Sequence, residues 1–570
     1  MQYLVKCAVS ALCLGALAGP IQAQPLIGPD LAVASNFSQG WRPDILDGTA
    51  DVPVRDFRDT VHWSVVEKDG QRFDYRNWRA AFPGILRARD LKMSLFVNAF
   101  HPAYDAGDTA HTPKAVAAFG NYARQTVEHY TNIHSVEVGN EFNGEDFVKG
   151  PARTQDLDAR AAYYVALLKS VYEQVKAANP DIRIVGGGVH SIPVGYLAMT
   201  YAKGAAAYMD ALALHTYDTP AEHLLRQINV LRRLPEARTI PIEVTEFGTL
   251  DAHDAPAYLL RNYCQMALAG VDRAVWYPMH PRGDGLVPVV DDTGAVTRTG
   301  RAYGFAQHEF AGKSVRRFQP DPFTYGCVFD DRKLVIWGAP RSLAVTNDIQ
   351  VSDPAGKSLP KVGLQLSNRD PLVLIADHPL DTNADITLGP QTLLADSYHQ
   401  LTYPDAQTPT PPSSWTNTIQ ANGTVIPFQT MPGQERQGVP WVPYLGHEDY
   451  ADLRLSATYL VPTGHAASPV EVVQSYTADQ PRTVGIDAFW RVGRDSEDGI
   501  TVAVYLNDTE LFQTSTTGTL TLKNRRVLMQ AGDVLAFHVG PNQTPWGDYT
   551  EHRIILQNAP PDNFPLLSKD

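Results

Sequence analysis

Cysteine is scarce in this chain, positive charge is outnumbered, and long apolar runs are missing beyond the first two dozen residues. Only four cysteines occur among 570 residues, so the fold is no disulfide scaffold. Cys7 and Cys13 lie in an N-terminal stretch where Lys6 precedes a mostly apolar run to Ala18, and Pro20 and the small Ala23 precede Gln24. That is the pattern of a secretory signal, residues 1–23, cleaved after Ala23. A transmembrane anchor needs about 20 unbroken apolar residues. This run is shorter and no later segment supplies one, so no membrane span is expected and the mature protein is expected to be secreted or periplasmic. Cys264 and Cys327 remain after cleavage. They read as two separate buried thiols, with a disulfide between them as the alternative in an oxidising compartment. The 48 Lys and Arg face 62 Asp and Glu, a net charge of −14, so the basic footprint of a nucleic-acid binder is missing and no nucleic-acid partner is expected.

Several chemical signatures are missing as well. Gly186-Gly187-Gly188 runs into Val189-His190-Ser191-Ile192-Pro193, which reads as a strand end and not as a phosphate loop opening a helix. There is no Gly-x-Ser-x-Gly elbow. His101, His134, His190 and His280 are scattered singly, without the paired spacing of a zinc site. No metal and no cofactor are expected.

What is present is a folded, multi-domain composition, with 44% hydrophobic and 19% charged residues. Eight short apolar runs recur between residues 27 and 312: Leu31–Ala34, Val61–Val66, Met93–Ala99, Ser135–Val138, Ile182–Gly186, Ala211–Leu214, Pro241–Val244 and Arg273–Trp276. Parallel strands buried on both faces look like this. Amphipathic stretches separate them. The clearest spans 154–178, with Thr154 as N-cap and Tyr164, Leu168, Val171 and Val175 at helical spacing. Eight strand–helix repeats predict a (β/α)8 barrel over 27–312. Residues 313–400 carry short β-like runs and read as a small all-β domain packed on the barrel. The Pro, Thr and Ser in 401–414 read as a linker. Residues 415–570 alternate apolar with polar and predict a jelly-roll-like sandwich. Trp415, Trp441, Trp490 and Trp546 there are candidates to stack on sugar rings, and filling the core is the alternative role for most of them.

Two carboxylates sit where barrel chemistry is done. Glu141, in Val136-Glu137-Val138-Gly139-Asn140-Glu141, follows the fourth run, and Glu246, in Ile242-Glu243-Val244-Thr245-Glu246-Phe247-Gly248, follows the seventh. The C-terminal ends of barrel strands converge on one mouth, so the two approach one cleft from opposite sides. Facing carboxyl groups are what glycosidic bond cleavage needs. Glu137 and Glu243 lie deeper in their strands and read as partners within the barrel wall.

Asn140-Glu141 and Thr245-Glu246-Phe247-Gly248 resemble the acid/base and nucleophile motifs of glycoside hydrolase clan A. His215-Thr216-Tyr217 is similar to its His-x-Tyr, and Trp276 to its eighth-strand tryptophan. Val54-Arg55-Asp56, with His62-Trp63-Ser64 through Tyr75, is similar to the second-strand region of family 39. The resemblance covers roughly residues 27–390 and implies a retaining double displacement. In it Glu246 attacks the anomeric carbon, and Glu141 first protonates the leaving oxygen and then activates water. It also implies that Arg55 and Tyr217 flank the nucleophile, that Asn140 binds the sugar 2-hydroxyl, that His215 lies beside these groups, and that Trp276 forms a sugar-stacking floor. Glu141 is expected to have its pKa raised toward about 6 to hold a proton. The partner is then an oligosaccharide or polysaccharide. The added sandwich points to endo action on a polysaccharide, such as a bacterial exopolysaccharide. The alternatives are an exo-acting β-xylosidase or arabinosidase-like enzyme, or a non-catalytic polysaccharide-binding protein.

Overall fold

Three of the four residues in Asp56-Phe57-Arg58-Asp59 are charged, yet Phe57, Arg58 and Asp59 are buried. In the computed structural model they form the second strand of a closed barrel. The structure describes residues 25–40, 45–46, 52–68, 70, 72–408, 413–558, 560 and 562–567, and the secretory segment expected at 1–23 lies outside them. The barrel strands are β1 (Asp30–Ala34), β2 (Asp56–Asp59), β3 (Lys92–Val97), β4 (Ile133–Val138), β5 (Arg183–His190), β6 (Ala211–His215), β7 (Ile242–Phe247) and β8 (Val271–Trp276). All pair in parallel with their sequence neighbours, and β1 closes the ring by pairing with both β2 and β8.

The apolar runs locate seven of these strands to within a few residues and misplace the second. Val61–Val66 is not a strand, because Trp63–Val66 is a helical turn. The true strand escapes a search for apolar runs because Asp56 and Arg58, two residues apart, reach across the barrel to charged partners. Asp56 meets Arg273 of β8 at 2.7 Å, and Arg58 meets Glu137 of β4 and Glu246 of β7.

The helices α1 (Trp78–Ala88), α2 (Pro113–His129), α3 (Leu157–Ala178), α4 (Val194–Ala202), α5 (Ala221–Leu231), α6 (Ala255–Leu268) and α7 (Arg298–Glu309) follow β2 to β8 in turn. In α3 the cap is Asp156, whose side chain accepts from Ala159 N at 2.9 Å, and not Thr154, which closes a separate turn, Pro151–Thr154. Its Tyr164, Leu168, Val171 and Val175 are buried as the spacing predicts, each contributing about 1.5–3 kcal/mol from burial. No helix among the described residues is long and apolar enough to cross a membrane.

Beyond the barrel, Val315–Arg317, Thr324–Phe329, Lys333–Gly338, Leu372–Ile375 and Gln350–Ser352 form an antiparallel sheet in that order. Tyr325, Cys327 and Phe329 join the barrel core, while Val328, Leu334 and Ile336 form a second cluster on the other face. Three expectations change here. Cys264 of α6 and Cys327 are joined in a disulfide, with Cα atoms 5.9 Å apart, because helix and strand pack face to face. Residues 401–404 are not a free spacer: Arg226 of α5 donates to Leu401 O at 2.7 Å, and Arg233 donates to Tyr403 O at 2.6 Å and to Pro404 O at 3.0 Å. Leu393–Asp396, expected in the small β domain, pairs with Thr550–Asn558 and so belongs to the C-terminal sandwich. That sandwich consists of two antiparallel sheets around Trp415, Val472, Trp490, Val502 and Phe537.

The disulfide closes a 63-residue separation, a span for which the chain-entropy model gives about 4 kcal/mol. Cys264→Ser is therefore expected to lower the denaturant midpoint of barrel unfolding. Reduction of the wild type should reproduce the shift and leave the variant unchanged.

Candidate active site

Arg58 is the centre of the barrel mouth. It is buried, and all three guanidinium nitrogens are engaged. Nε and Nη2 donate to Glu137 at 2.6 and 3.0 Å, Nη2 also to Asn140 Oδ1 at 3.2 Å, and Nη1 to Glu246 Oε1 at 2.6 Å. Its Cζ lies 4.5 Å from the centre of the Phe96 ring, a cation–π contact. Burial works to lower the Arg58 pKa, and the charges of Glu137 and Glu246 raise it above the ordinary value. Glu137 also accepts from Thr245 Oγ1 at 3.0 Å. Burial works to raise its carboxyl, but Arg58 and His215 hold it down at about 2. It is the wall partner the sequence suggests. Glu243 is another, paired with Arg183 at 3.3 Å and Arg273 at 3.4 Å.

The two cleft carboxylates have different neighbours. Glu246 Oε2 accepts from Tyr217 OH at 2.8 Å. Burial and the charge of Glu246 push the Tyr217 hydroxyl well above its usual value, which keeps it a donor. Glu141 follows Gly139 at φ +82° and itself sits at φ +46°, in the left-handed region that disfavours side chains. The turn is braced by Arg160 of α3, which donates to Asn143 O at 3.0 Å and Gly144 O at 2.8 Å. Glu141 Oε1 lies 3.1 Å from His190 Nδ1 and 3.0 Å from His215 Nδ1, and His190 Nε2 lies 2.7 Å from Asp218. One oxygen of Glu141, one of Glu246 and a His215 ring nitrogen all lie within 4.8 Å of one another.

These contacts correct the expectation for Glu141. Burial works to raise its carboxyl, but hydrogen bonds from His190 and His215 prevail and hold it well below the usual carboxylate range. The same contacts favour the protonated form of both imidazoles. Burial opposes this, yet Asp218 and Glu141 raise His190 to about 10, and Glu246, Glu137 and Glu141 raise His215 to about 9.

Five of the seven expected residues, Asn140, Glu141, His215, Tyr217 and Glu246, converge. Two do not. Arg55 is exposed and lines a cavity with Asp56 and Arg273 at the N-terminal end of the barrel. Arg58, three residues on, takes the role implied for it. Trp276 is 0% exposed, with Nε1 donating to Val287 O at 2.9 Å and its ring edge-on to Phe247, so it cannot form a sugar floor. Tyr277 lines the cleft instead. The sequence reading also passes over His190, although it ends β5, the position that brings side chains to the mouth. The cleft has a volume of about 750 Å³ and is lined by Asn140, Glu141, His190, Tyr217, Glu246 and Tyr277 among others.

No family model matches the chain, and no curated protein matches it. Among solved structures it is similar to a family 39 glycoside hydrolase from the gut symbiont Bacteroides cellulosilyticus WH2, with 17% identity, a TM-score of 0.51, and coverage of 62% of this chain and 81% of that one. A GH39 β-xylosidase from Caulobacter crescentus matches at 16% identity and a TM-score of 0.44 over 62% of this chain and 98% of that one. The likeness to the Bacteroides enzyme is one of fold, and the chain shares its barrel architecture.

Two outcomes follow. Arg58→Met takes from the buried Glu137 its closest cation, leaving His215 at 3.4 Å, and should cost about 3–5 kcal/mol in denaturant unfolding, whereas Arg55→Met should stay within about 0.5 kcal/mol. His190 and His215 have folded pKa values above the ordinary 6.5. The stability they add is therefore full below about pH 6.5 and is lost as the pH rises through 9 and 10. The thermal midpoint should fall from pH 7 to 10, and His190→Gln should flatten that fall.

Proposed function

We propose that the protein is an exported, retaining glycoside hydrolase that cleaves β-glycosidic bonds within a polysaccharide. The observation that carries this reading is the close approach of Glu141 and Glu246 on unlike partners, their oxygens within 4.8 Å. Retaining enzymes need carboxyl groups about 5–5.5 Å apart, one to attack and one to exchange protons. Glu246 is aimed into the cleft by Arg58 and Tyr217 and serves as the nucleophile on the anomeric carbon. Glu141 gives its proton to the leaving oxygen, then takes one from the water that releases the glycosyl-enzyme. His190 and His215, both within hydrogen-bond reach of Glu141 Oε1, hold the site's protons in the resting state. A bound sugar expels water from around Glu141, which acts in the same direction as burial and raises its carboxyl toward a proton-bearing state. Asn140, held by Arg58, is positioned for the 2-hydroxyl.

Endo action is supported by apolar rims on both sides of the cleft, Phe147 (39% exposed) in the loop after β4 and Leu250 (69%) in the loop after β7. Sugar units on either side of the broken bond have surface to rest on. Export is supported by the N-terminal pattern of the sequence and by the Cys264–Cys327 disulfide, which persists in oxidising compartments.

The test is a reducing-end and product-length assay on neutral β-linked polysaccharides and bacterial exopolysaccharides, with Glu246→Gln alongside. Oligosaccharide ladders from wild type alone are expected, with the β-anomer appearing first by NMR. Glu141→Gln should slow turnover about 10²–10⁴-fold. Release of monosaccharide alone would replace endo with exo action. Polymer binding without new reducing ends would leave a non-catalytic binding protein.

A further inference from the structure

The C-terminal sandwich reaches the barrel mouth. Residues 432–443 join the strands Gln429–Met431 and Tyr444–Gly446, and this loop rests on the acid/base side of the cleft. Gln434 is 2% exposed, and its side-chain amide is given to one barrel residue. Its Oε1 accepts from Asn143 Nδ2 at 2.8 Å, and its Nε2 donates to Asn143 O at 2.9 Å. Beside it, Gly433 O accepts from Gly195 N at 2.8 Å, and Gln434 N closes the loop onto Pro440 O at 2.7 Å. Asn143 in turn grips His190, accepting from its N at 2.9 Å and donating to its O at 3.2 Å.

This clamp fixes Trp441. Its ring stands edge-on to that of His190, with centroids 5.5 Å apart at 81°. It also packs on Gly144, where a Cβ would lie 3.3 Å from the indole. Trp415 and Trp490 are buried in the sandwich core, whereas Trp441 is 37% exposed.

We propose that Trp441 is the sugar platform of the leaving-group side of the cleft, so that the C-terminal sandwich supplies a specificity-determining residue to the barrel's active site. The proposal rests on the hydrolase reading above. In that reading Glu141 protonates the leaving oxygen while Glu246 attacks from the other side of the bond, so surface bordering Glu141 faces the departing saccharide. Trp441 touches His190, which holds Glu141, and Gly144, which follows it by three residues. Set at 81° to His190 and 37% exposed, the Trp441 indole leaves surface for the polarised C–H groups of a sugar, which the negative face of an aromatic ring attracts.

The test compares two substrate types for each of xylose, glucose, mannose and galactose: the β-glycosyl fluoride, whose leaving group occupies no sugar subsite, and the β-linked oligosaccharides. Hydrolysis of a fluoride by wild type but not by Glu246→Gln checks the hydrolase reading without involving Trp441. For Trp441→Ala, the loss of kcat/KM on oligosaccharides should exceed the loss on the fluoride by about tenfold, carried by KM. Trp441→Phe should recover most of that difference. Equal losses on both substrate types would make Trp441 a clamp element only and overturn the platform. Failure of wild type on all four sugars would overturn the hydrolase reading for these sugars, and the platform with it.

Discussion

A guanidinium buried in a barrel must be surrounded by anions, and the cleft is organised around meeting that need for Arg58. Removing one charge from water costs several kcal/mol, recovered only by close and well-directed partners. Arg58 finds two carboxylates from different strands, Glu137 and Glu246, each at 2.6 Å. One is wholly internal and the other faces the cleft. The same cation therefore ties β4 to β7 and aims Glu246 at the space where a substrate would lie. Asn140 is oriented by the same group, so the cleft carboxylate Glu246 and the Asn140 amide share one anchor.

The second carboxylate gains its character from imidazoles. Two chemically identical side chains, their oxygens within 4.8 Å of each other, differ in their surroundings: one faces a permanent cation and a phenol, and the other faces two imidazoles whose pKa values are raised. His190 and His215 make Glu141 part of a proton-sharing set that extends to Asp218. That arrangement inverts the simple expectation of a carboxyl kept neutral by burial. Burial is the largest single influence on it, but the two histidines together outweigh it.

The modules are joined by polar groups as much as by apolar packing. Glu222 of α5 accepts from Trp337 Nε1 of the small sheet at 2.7 Å and from Tyr398 OH at 2.9 Å. A single buried carboxylate thus connects barrel, small sheet and the segment leading to the sandwich. The disulfide, Arg226 and Arg233 reinforce the same side, and Gln434 ties the sandwich to the barrel mouth.

The barrel was legible because a parallel strand buried on both faces must be apolar, and seven of eight strands obey. Glu141 and Glu246 were legible because strand ends of a barrel meet at one mouth, so position along the chain implies position in the cleft. The strand Asp56–Asp59 broke the rule, since its inward residues are paired charges, and the family resemblance at Val54-Arg55-Asp56 pointed to Arg55 where the structure buries Arg58. His190 looked solitary because its partners lie 49 and 28 residues away. Trp276 looked like a floor because residue type does not say on which side of a strand a ring lies. Sequence thus determined the fold class and the meeting of Glu141 and Glu246 in one cleft, both properties of local pattern and chain order. Tertiary structure decided which arginine is buried, that His190 and His215 meet Glu141, that the two cysteines join, and that a loop of the sandwich reaches Asn143 and His190. Those depend on groups far apart in the chain meeting in space, and no local pattern encodes such meetings.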